Sequence, residues 1–127
     1  MCKGEFTMFF MTEKLKKRVE ELEPYRYRDV QEISEFLFQE SDGTVPNPKV
    51  PEAFDGFSKG TVGMHWSGWD AYLWLHLEAD LPDVWKDKKI IGLFDFGNTG
   101  GGNNRGFEAM LYRNGKPFQG VDANHKE

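Results

Sequence analysis

The chain has 127 residues, a length that indicates one domain with a single hydrophobic core. Its formal net charge of −5 argues against non-specific binding to nucleic acid or to an anionic membrane. Cys2 is the single cysteine, so no internal disulfide can form. No stretch is apolar enough for a transmembrane helix or a signal peptide, and we therefore expect a cytoplasmic protein.

The first predicted element is a helix over residues 12–22, with an N-cap at its first residue. Leu15, Val19 and Leu22 are spaced so that they form one apolar stripe. Pro24 is expected to end the helix. Basic and acidic residues alternate over the remaining surface, which indicates a solvated face rather than a phosphate site.

Extended segments and a loop are predicted after the helix. Residues 28–38 are extended, and residues 41–51 are a loop rich in proline. Apolar and polar side chains alternate strictly over residues 69–80, which is typical of a half-buried strand. Residues 90–96 are apolar on both faces, so we expect a strand that is covered on both sides.

A hairpin is predicted near the C-terminus. Asn114-Gly115 favours a two-residue type I′ turn, because both central residues of that turn need a positive φ. The register pairs three residues on each strand, namely Arg113 with Lys116, Tyr112 with Pro117 and Leu111 with Phe118.

Closely spaced strands with one helix in front predict a mainly β protein, a β-sandwich with an N-terminal α-helix. We place the helical segment at residues 1–24 and the sandwich domain at residues 25–127. The aromatic fraction of 15% agrees with a sheet protein, because aromatic side chains pack well on pleated surfaces.

Two features near residue 97 invite a chemical interpretation. The glycine run at residues 97–102 lacks the Lys-Ser/Thr and the helix that a phosphate loop needs, so we interpret it as a connection between strands. Asp95 is expected to be partly buried and to accept backbone N–H bonds, for example from the glycine run, with catalysis as the alternative. The three histidines have no metal-ligand spacing, and we predict no metal site in this chain.

Four aromatic residues could stack on sugar rings, because aromatic faces offer a large apolar area at fixed geometry. The candidate carbohydrate-binding residues are Trp66, Trp69, Tyr72 and Trp74. The alternative is that they belong to the core or to an interface.

Several motifs carry a family resemblance. Residues 66–75, Leu81-Pro82, Trp85-Lys86, the apolar strand that follows and the Asn-Gly-Lys hairpin are similar to galactose-binding-like jelly-roll domains at the front of large glycosidases. Residues 93–127, with the ending Gly-Val-Asp-x-Asn-His-x-Glu at residues 120–127, resemble more narrowly the N-terminal domain of the cytosolic and vacuolar α-mannosidases of glycoside hydrolase family 38. This resemblance covers nearly the whole chain from about Met8, and the ending is its most specific part.

The resemblance implies a retaining α-mannosidase whose Asp nucleophile and zinc ion, held by two His and two Asp, lie in a following catalytic domain. This sequence has no Ala-His-x-Asp motif, so no catalytic or metal residue transfers to it. Zinc is expected only in that catalytic domain, and the chain alone is expected to be non-catalytic.

Three functions remain open. The first is an ancillary domain that packs against the catalytic domain, with interface residues Asn103, Asn104, Asp122, Asn124 and His125. The second is a free-standing carbohydrate-binding module. The third is an oligomerisation module, whose apolar face would contact another subunit.

Overall fold

The computed structural model describes residues 3–97 and 107–127, with side chains described from residue 10 onward. It divides the chain into two compact units, Met1–Glu32 and Ile33–Glu127. The domain boundary expected after residue 24 stays a prediction.

In the first unit, helix α1 spans Lys3–Leu22 and leads into a 3-10 helix at Glu23–Tyr25. The helix begins nine residues before the predicted start, because residues 3–11 contain no proline and continue the helical ladder. Pro24 lies at the start of the 3-10 helix, where a missing N–H is tolerated. No helix in the described part of the chain is long and apolar enough to cross a membrane.

The second unit contains a three-stranded antiparallel sheet, sheet A. Its strands are β1 at Glu35–Asp42, β2 at Ser58–Thr61 and β3 at Ala71–His76, in the order β2-β1-β3. Strand β1 therefore begins later than the predicted extended segment and continues into the predicted loop. Strand β3 begins later than predicted, because Asp70 adopts a positive φ of 48° just before it, and it ends at His76, before the predicted end at residue 80.

Cross-strand partners place the side chains of sheet A on two faces. The Trp74 face carries Leu37, Gln39, Ser41, Tyr72, Trp74 and His76. The Phe38 face carries Phe36, Phe38, Glu40, Ala71, Leu73 and Leu75. The alternation predicted for β3 is thus present in the register, although both faces are half-buried rather than only one.

Sheet B is a hairpin of β4, Glu108–Arg113, and β5, Lys116–Asp122. Asn114 and Gly115 have φ values of 52° and 74°, which confirms the predicted turn. Two of the three predicted pairs are confirmed. The third is wrong: Leu111 pairs with Gln119, and Phe118 is the extra residue of a bulge next to Pro117, which has no N–H for the ladder.

The strand predicted at residues 90–96 is wrong as a paired strand. The Phe94 N–H donates to the carbonyl of Lys126 at 2.7 Å, but no ladder continues from this bond in the described residues. A strand forms only where a neighbour supplies donors and acceptors. The expected cover on both faces is also lacking, since Ile91 and Leu93 are 42% and 60% exposed.

The described residues bury little apolar surface. Val121, at 4% exposure, is the one buried apolar side chain of the described residues, and it lies opposite Ala109 in sheet B. The two sheets meet through Trp74 and Tyr112, whose ring centroids are 6.0 Å apart. Mainly β structure with a helix in front confirms the predicted fold class in its general form.

Candidate functional site

A cleft on the Trp74 face of sheet A is the best-formed concavity near candidate residues. Its floor is built from direct neighbours, since Gln39 on β1 pairs with Trp74 on β3. The indole N–H of Trp74 donates to the hydroxyl of Ser41 at 3.0 Å, which fixes the ring. The cleft has a volume of about 380 Å³.

The loop after β1 forms the wall of this cleft, with Val45, Pro48, Lys49 and Pro51 facing it. Asp42 anchors the start of the loop, because its Oδ1 accepts both the backbone N–H of Thr44 at 2.9 Å and the Thr44 hydroxyl at 2.7 Å. The hydroxyl bond and then the N–H bond lower the pKa of Asp42. Anchor and prolines together give the wall a defined shape.

The four candidate aromatic residues do not form one platform. Trp74 and Tyr72 share one face of sheet A, while Trp66 donates its indole N–H to Glu40, on the opposite face, at 2.8 Å. Trp69 precedes β3 and is 98% exposed. The structure therefore separates Trp66 from Trp74, and their assignment to carbohydrate stays a prediction.

His76 lies further along the Trp74 face. Its ring stacks on Phe54 with centroids 3.6 Å apart, and its Nε2 is 3.0 Å from a carboxylate oxygen of Glu78. These contacts give the His76 ring a packing role against Phe54.

A second group of polar residues closes the C-terminal segment, and Asp122 is its centre. The Oδ1 of Asp122 accepts the backbone N–H groups of Asn124 at 2.7 Å and of His125 at 2.8 Å, and His125 Nδ1 lies 3.0 Å from the same oxygen. The His125 side chain and then the Asn124 N–H lower the pKa of Asp122. Three interface candidates thus form one turn, which we call the Asp122 turn.

Asp95 ties this segment to residues 94–97. Its Oδ2 accepts the ammonium of Lys126 at 2.8 Å, and its Oδ1 accepts the Gly97 N–H at 3.0 Å. The Lys126 bond and then the Gly97 bond lower its pKa. The expected acceptance of a backbone N–H is present, whereas the expected burial is wrong, because the side chain is 56% exposed.

Comparison with protein families identifies the origin of this architecture. Residues 35–127 match the family described as "Alpha-mannosidase, jelly roll domain". The chain belongs to this family. The α-mannosidase jelly-roll match includes both sheets and the Asp122 turn, and it confirms the resemblance and the jelly-roll class seen in the sequence.

Comparison of this α-mannosidase jelly-roll domain with curated proteins and with solved structures gave no significant match. The family match begins at Glu35, so it leaves out helix α1.

Two further expectations for the jelly-roll domain concern the interface residues Asn103 and Asn104 and the position of the zinc ion. Asn103 and Asn104, predicted at a domain interface, lie outside the described residues, as does the glycine run after Gly97. The described residues include no group of three or more His, Cys, Asp or Glu side chains that could hold a metal ion, so they do not fit a zinc site.

Sequence reasoning missed Gln39, Ser41 and Lys126. Gln39 and Ser41 gain significance only through the pairing of β1 with β3, which no local pattern encodes. Lys126 lies within the motif at residues 120–127, but its partner Asp95 is distant along the chain.

Proposed function

We propose that this chain is an ancillary jelly-roll domain of an α-mannosidase and that it packs against the catalytic domain of the parent enzyme. The hydrolysis of α-mannosidic bonds belongs, in this proposal, to that other domain. The family match supports the parentage, and the distribution of apolar surface supports the packing role.

One observation carries the packing role: apolar side chains of the second unit remain largely exposed. Leu93, Ile91 and Phe96 are between 42% and 60% exposed, and Trp69 is 98% exposed. Scattered exposed apolar residues are normal, but contiguous apolar surface marks a contact with another protein surface. Residues 90–96 provide such a continuous stretch.

Magnitudes agree with this interpretation. Full burial of a Val, Leu, Ile, Phe or Met side chain stabilises a fold by about 1.5–3 kcal/mol, whereas ordering one residue's backbone costs about 1–2 kcal/mol. A unit in which Val121 is the one deeply buried apolar side chain described is therefore only marginally stable on its own. Contact with a catalytic domain would supply the missing burial.

The Asp122 turn and the Asp95–Lys126 pair would lie at the domain contact, together with Asn103 and Asn104. Within the Asp122 turn, the N–H groups of Asp122 and His125 each donate to the other residue's carbonyl at 3.2 Å, while the His125 side chain is 74% exposed. An ordered polar turn beside exposed apolar residues is typical of interfaces, which combine an apolar centre with a polar rim.

Zinc and catalysis are assigned to the parent enzyme rather than to this chain. Zinc in glycoside hydrolase family 38 is expected to be held by residues of the catalytic domain, and the sequence here has no Ala-His-x-Asp motif. We also propose that the parent is cytoplasmic, in agreement with the single Cys2.

Hydrolysis of aryl α-mannosides tests the division of labour. The purified 127-residue chain is expected to be inactive, while the full-length gene product is active and loses activity after zinc chelation. Activity in the pure chain that survives gel filtration at its own mass would falsify the assignment of catalysis to another domain.

Charge substitutions test the packing role in the full-length gene product. Leu93→Asp is expected to lower its midpoint of thermal inactivation, because a carboxylate buried in an apolar contact is strongly destabilising. The matched control is Val84→Asp, since Val84 is 78% exposed in the 3-10 helix at Asp83–Trp85. Equal effects of the two substitutions would sink the docking assignment for residues 90–96.

Oligomerisation through the same apolar surface is the alternative. Sedimentation velocity of the isolated chain decides between the two, because a second copy would give a dimer that Leu93→Asp dissociates. If the isolated chain is a monomer and associates only with the separately expressed catalytic domain, the first proposal is supported.

A further inference from the structure

We propose that the cleft on the Trp74 face is a binding site for a single neutral pyranose ring. This site goes beyond the packing role and does not depend on it. It also differs from the set of four aromatic residues that the sequence suggests, because the structure leaves Trp66 and Trp69 out of the cleft.

The shape of the cleft supports a small ring-shaped ligand. A half-buried indole lies in the floor, and the apolar side chains of Val45, Pro48 and Pro51 form the wall. The volume of about 380 Å³ falls in the range of small-molecule sites. Indole faces provide the flat apolar surface on which the C–H groups of a pyranose stack.

Polar groups are placed around that indole for hydroxyl recognition. The Ser41 hydroxyl accepts the Trp74 N–H, so its own proton is available for donation to a ligand. The Gln39 carboxamide, on the residue paired with Trp74, offers two donors and an acceptor at the same floor. A few polar groups within a mainly apolar cleft are the usual basis of ligand orientation.

Charge balance favours a neutral ligand. Each charged residue of the cleft already has a partner. Lys49 pairs with Glu52 at 3.2 Å, Glu40 accepts the Trp66 indole N–H at 2.8 Å, and the Oδ1 of Asp42 accepts two bonds from Thr44. The cleft therefore presents neither a free cationic centre for phosphate nor a free carboxylate pair for an amine. The anchored loop also means that little conformational entropy is lost on binding.

The test is a titration of the 127-residue chain with methyl α-mannoside, methyl α-glucoside and methyl α-galactoside, followed by NMR of its four tryptophan indole N–H groups. The expected result is a saturable shift of the Trp74 signal at millimolar sugar, with Trp69 and Trp85 unchanged as internal controls. Sorbitol, which lacks a ring, and phenol, which is flat and aromatic, are the comparison ligands.

Gln39→Ala is expected to weaken sugar binding about fivefold, since one hydrogen bond is lost. Gln31→Ala, at an exposed position of the first unit, is the matched control and is expected to bind as the parent does. In the full-length gene product the same two variants are compared by saturation-transfer NMR on methyl α-galactoside, because a mannoside would also bind the catalytic domain. This arm keeps the test valid if the free chain is poorly folded.

Three results would overturn the proposal. They are no Trp74 shift at about 50 mM of any of the three pyranosides, equal shifts with sorbitol or phenol, and a shift at Trp69 in place of Trp74. Unchanged affinity in Gln39→Ala, in either form of the protein, would equally remove the cleft as the site.

Discussion

The segment at residues 90–96 is richer in apolar residues than the hairpin of sheet B, but the hairpin is the one that forms paired strands in the described residues. The hairpin has a complete two-stranded ladder, a turn with two positive φ values and the buried Val121. Among the residues that the structure describes, the segment has one backbone bond, from Phe94 to Lys126, and its large apolar side chains are mostly exposed. A hairpin brings its own partner strand within a few residues, whereas an isolated strand depends on a neighbour from elsewhere.

The largest expected effect falls on the hairpin. Val121→Asp places a carboxylate at a position of 4% exposure with no partner, and we expect a loss of at least about 3 kcal/mol in the stability of the hairpin. Hydrogen exchange of the β4 and β5 amides measures it. Met110→Asp, at 53% exposure in the same sheet, is the control and should change exchange little.

The turn gives the next largest effect. Gly115→Val puts a β-branched residue at a φ of 74°, which costs about 1–2 kcal/mol or more and opens the hairpin from its closed end. Gly120→Ala is the matched control, because a Cβ there meets nothing within 4 Å. If the β4 and β5 amides are protected from hydrogen exchange to the same extent in both variants, the turn does not determine hairpin stability.

A much smaller effect is expected at residues 90–96 in the isolated chain. Leu93→Ser removes a side chain that is 60% exposed, so the stability should change by no more than about 0.5 kcal/mol in urea denaturation. A loss comparable to that of Val121→Asp would show that the segment is already packed, and the contrast with the hairpin would fail.

The smallest effect concerns pH. The Lys126 and Gly97 bonds lower the pKa of Asp95 below its ordinary value of 3.8, so its contribution to stability is present above that value and is lost as the pH falls through the lowered pKa. In Asp95→Asn, the melting temperature should therefore fall less between about pH 5 and pH 2 than it does in the parent chain. Asp55→Asn, an exposed carboxylate in the turn before β2, is the control.

The comparison also explains what the sequence could predict. The Asn114-Gly115 turn was predictable with two of its pairs, because turn chemistry is local. The bulge at Phe118 and the lack of pairing at residues 90–96 were not, because they depend on which backbone groups meet across the sheet. Alternation indicated strand β3, but its neighbour β1, and hence the Gln39–Trp74 pair of the cleft, follows from a distant register.

The candidate sites also differ in how much of them the sequence could predict. The Asp122 turn lies within four successive residues of a motif, and its members were identified together from the sequence. Trp66 and Trp74 are close in sequence, yet they lie toward opposite faces of sheet A. Aromatic composition alone therefore could not tell a shared platform from separate contacts.

The position of β3 at the end of the order β2-β1-β3 has a consequence for handling the isolated chain. Among the described strands, none covers its outer edge, and its sequence Ala-Tyr-Leu-Trp-Leu-His has no proline, lysine or acidic residue. Uncharged, apolar edges of this kind are templates for intermolecular strand pairing and amyloid-like growth. We therefore expect concentrated solutions of the free domain to form fibrils through this edge. A lysine introduced on the solvent-exposed side of β3 is the simplest way to prevent it.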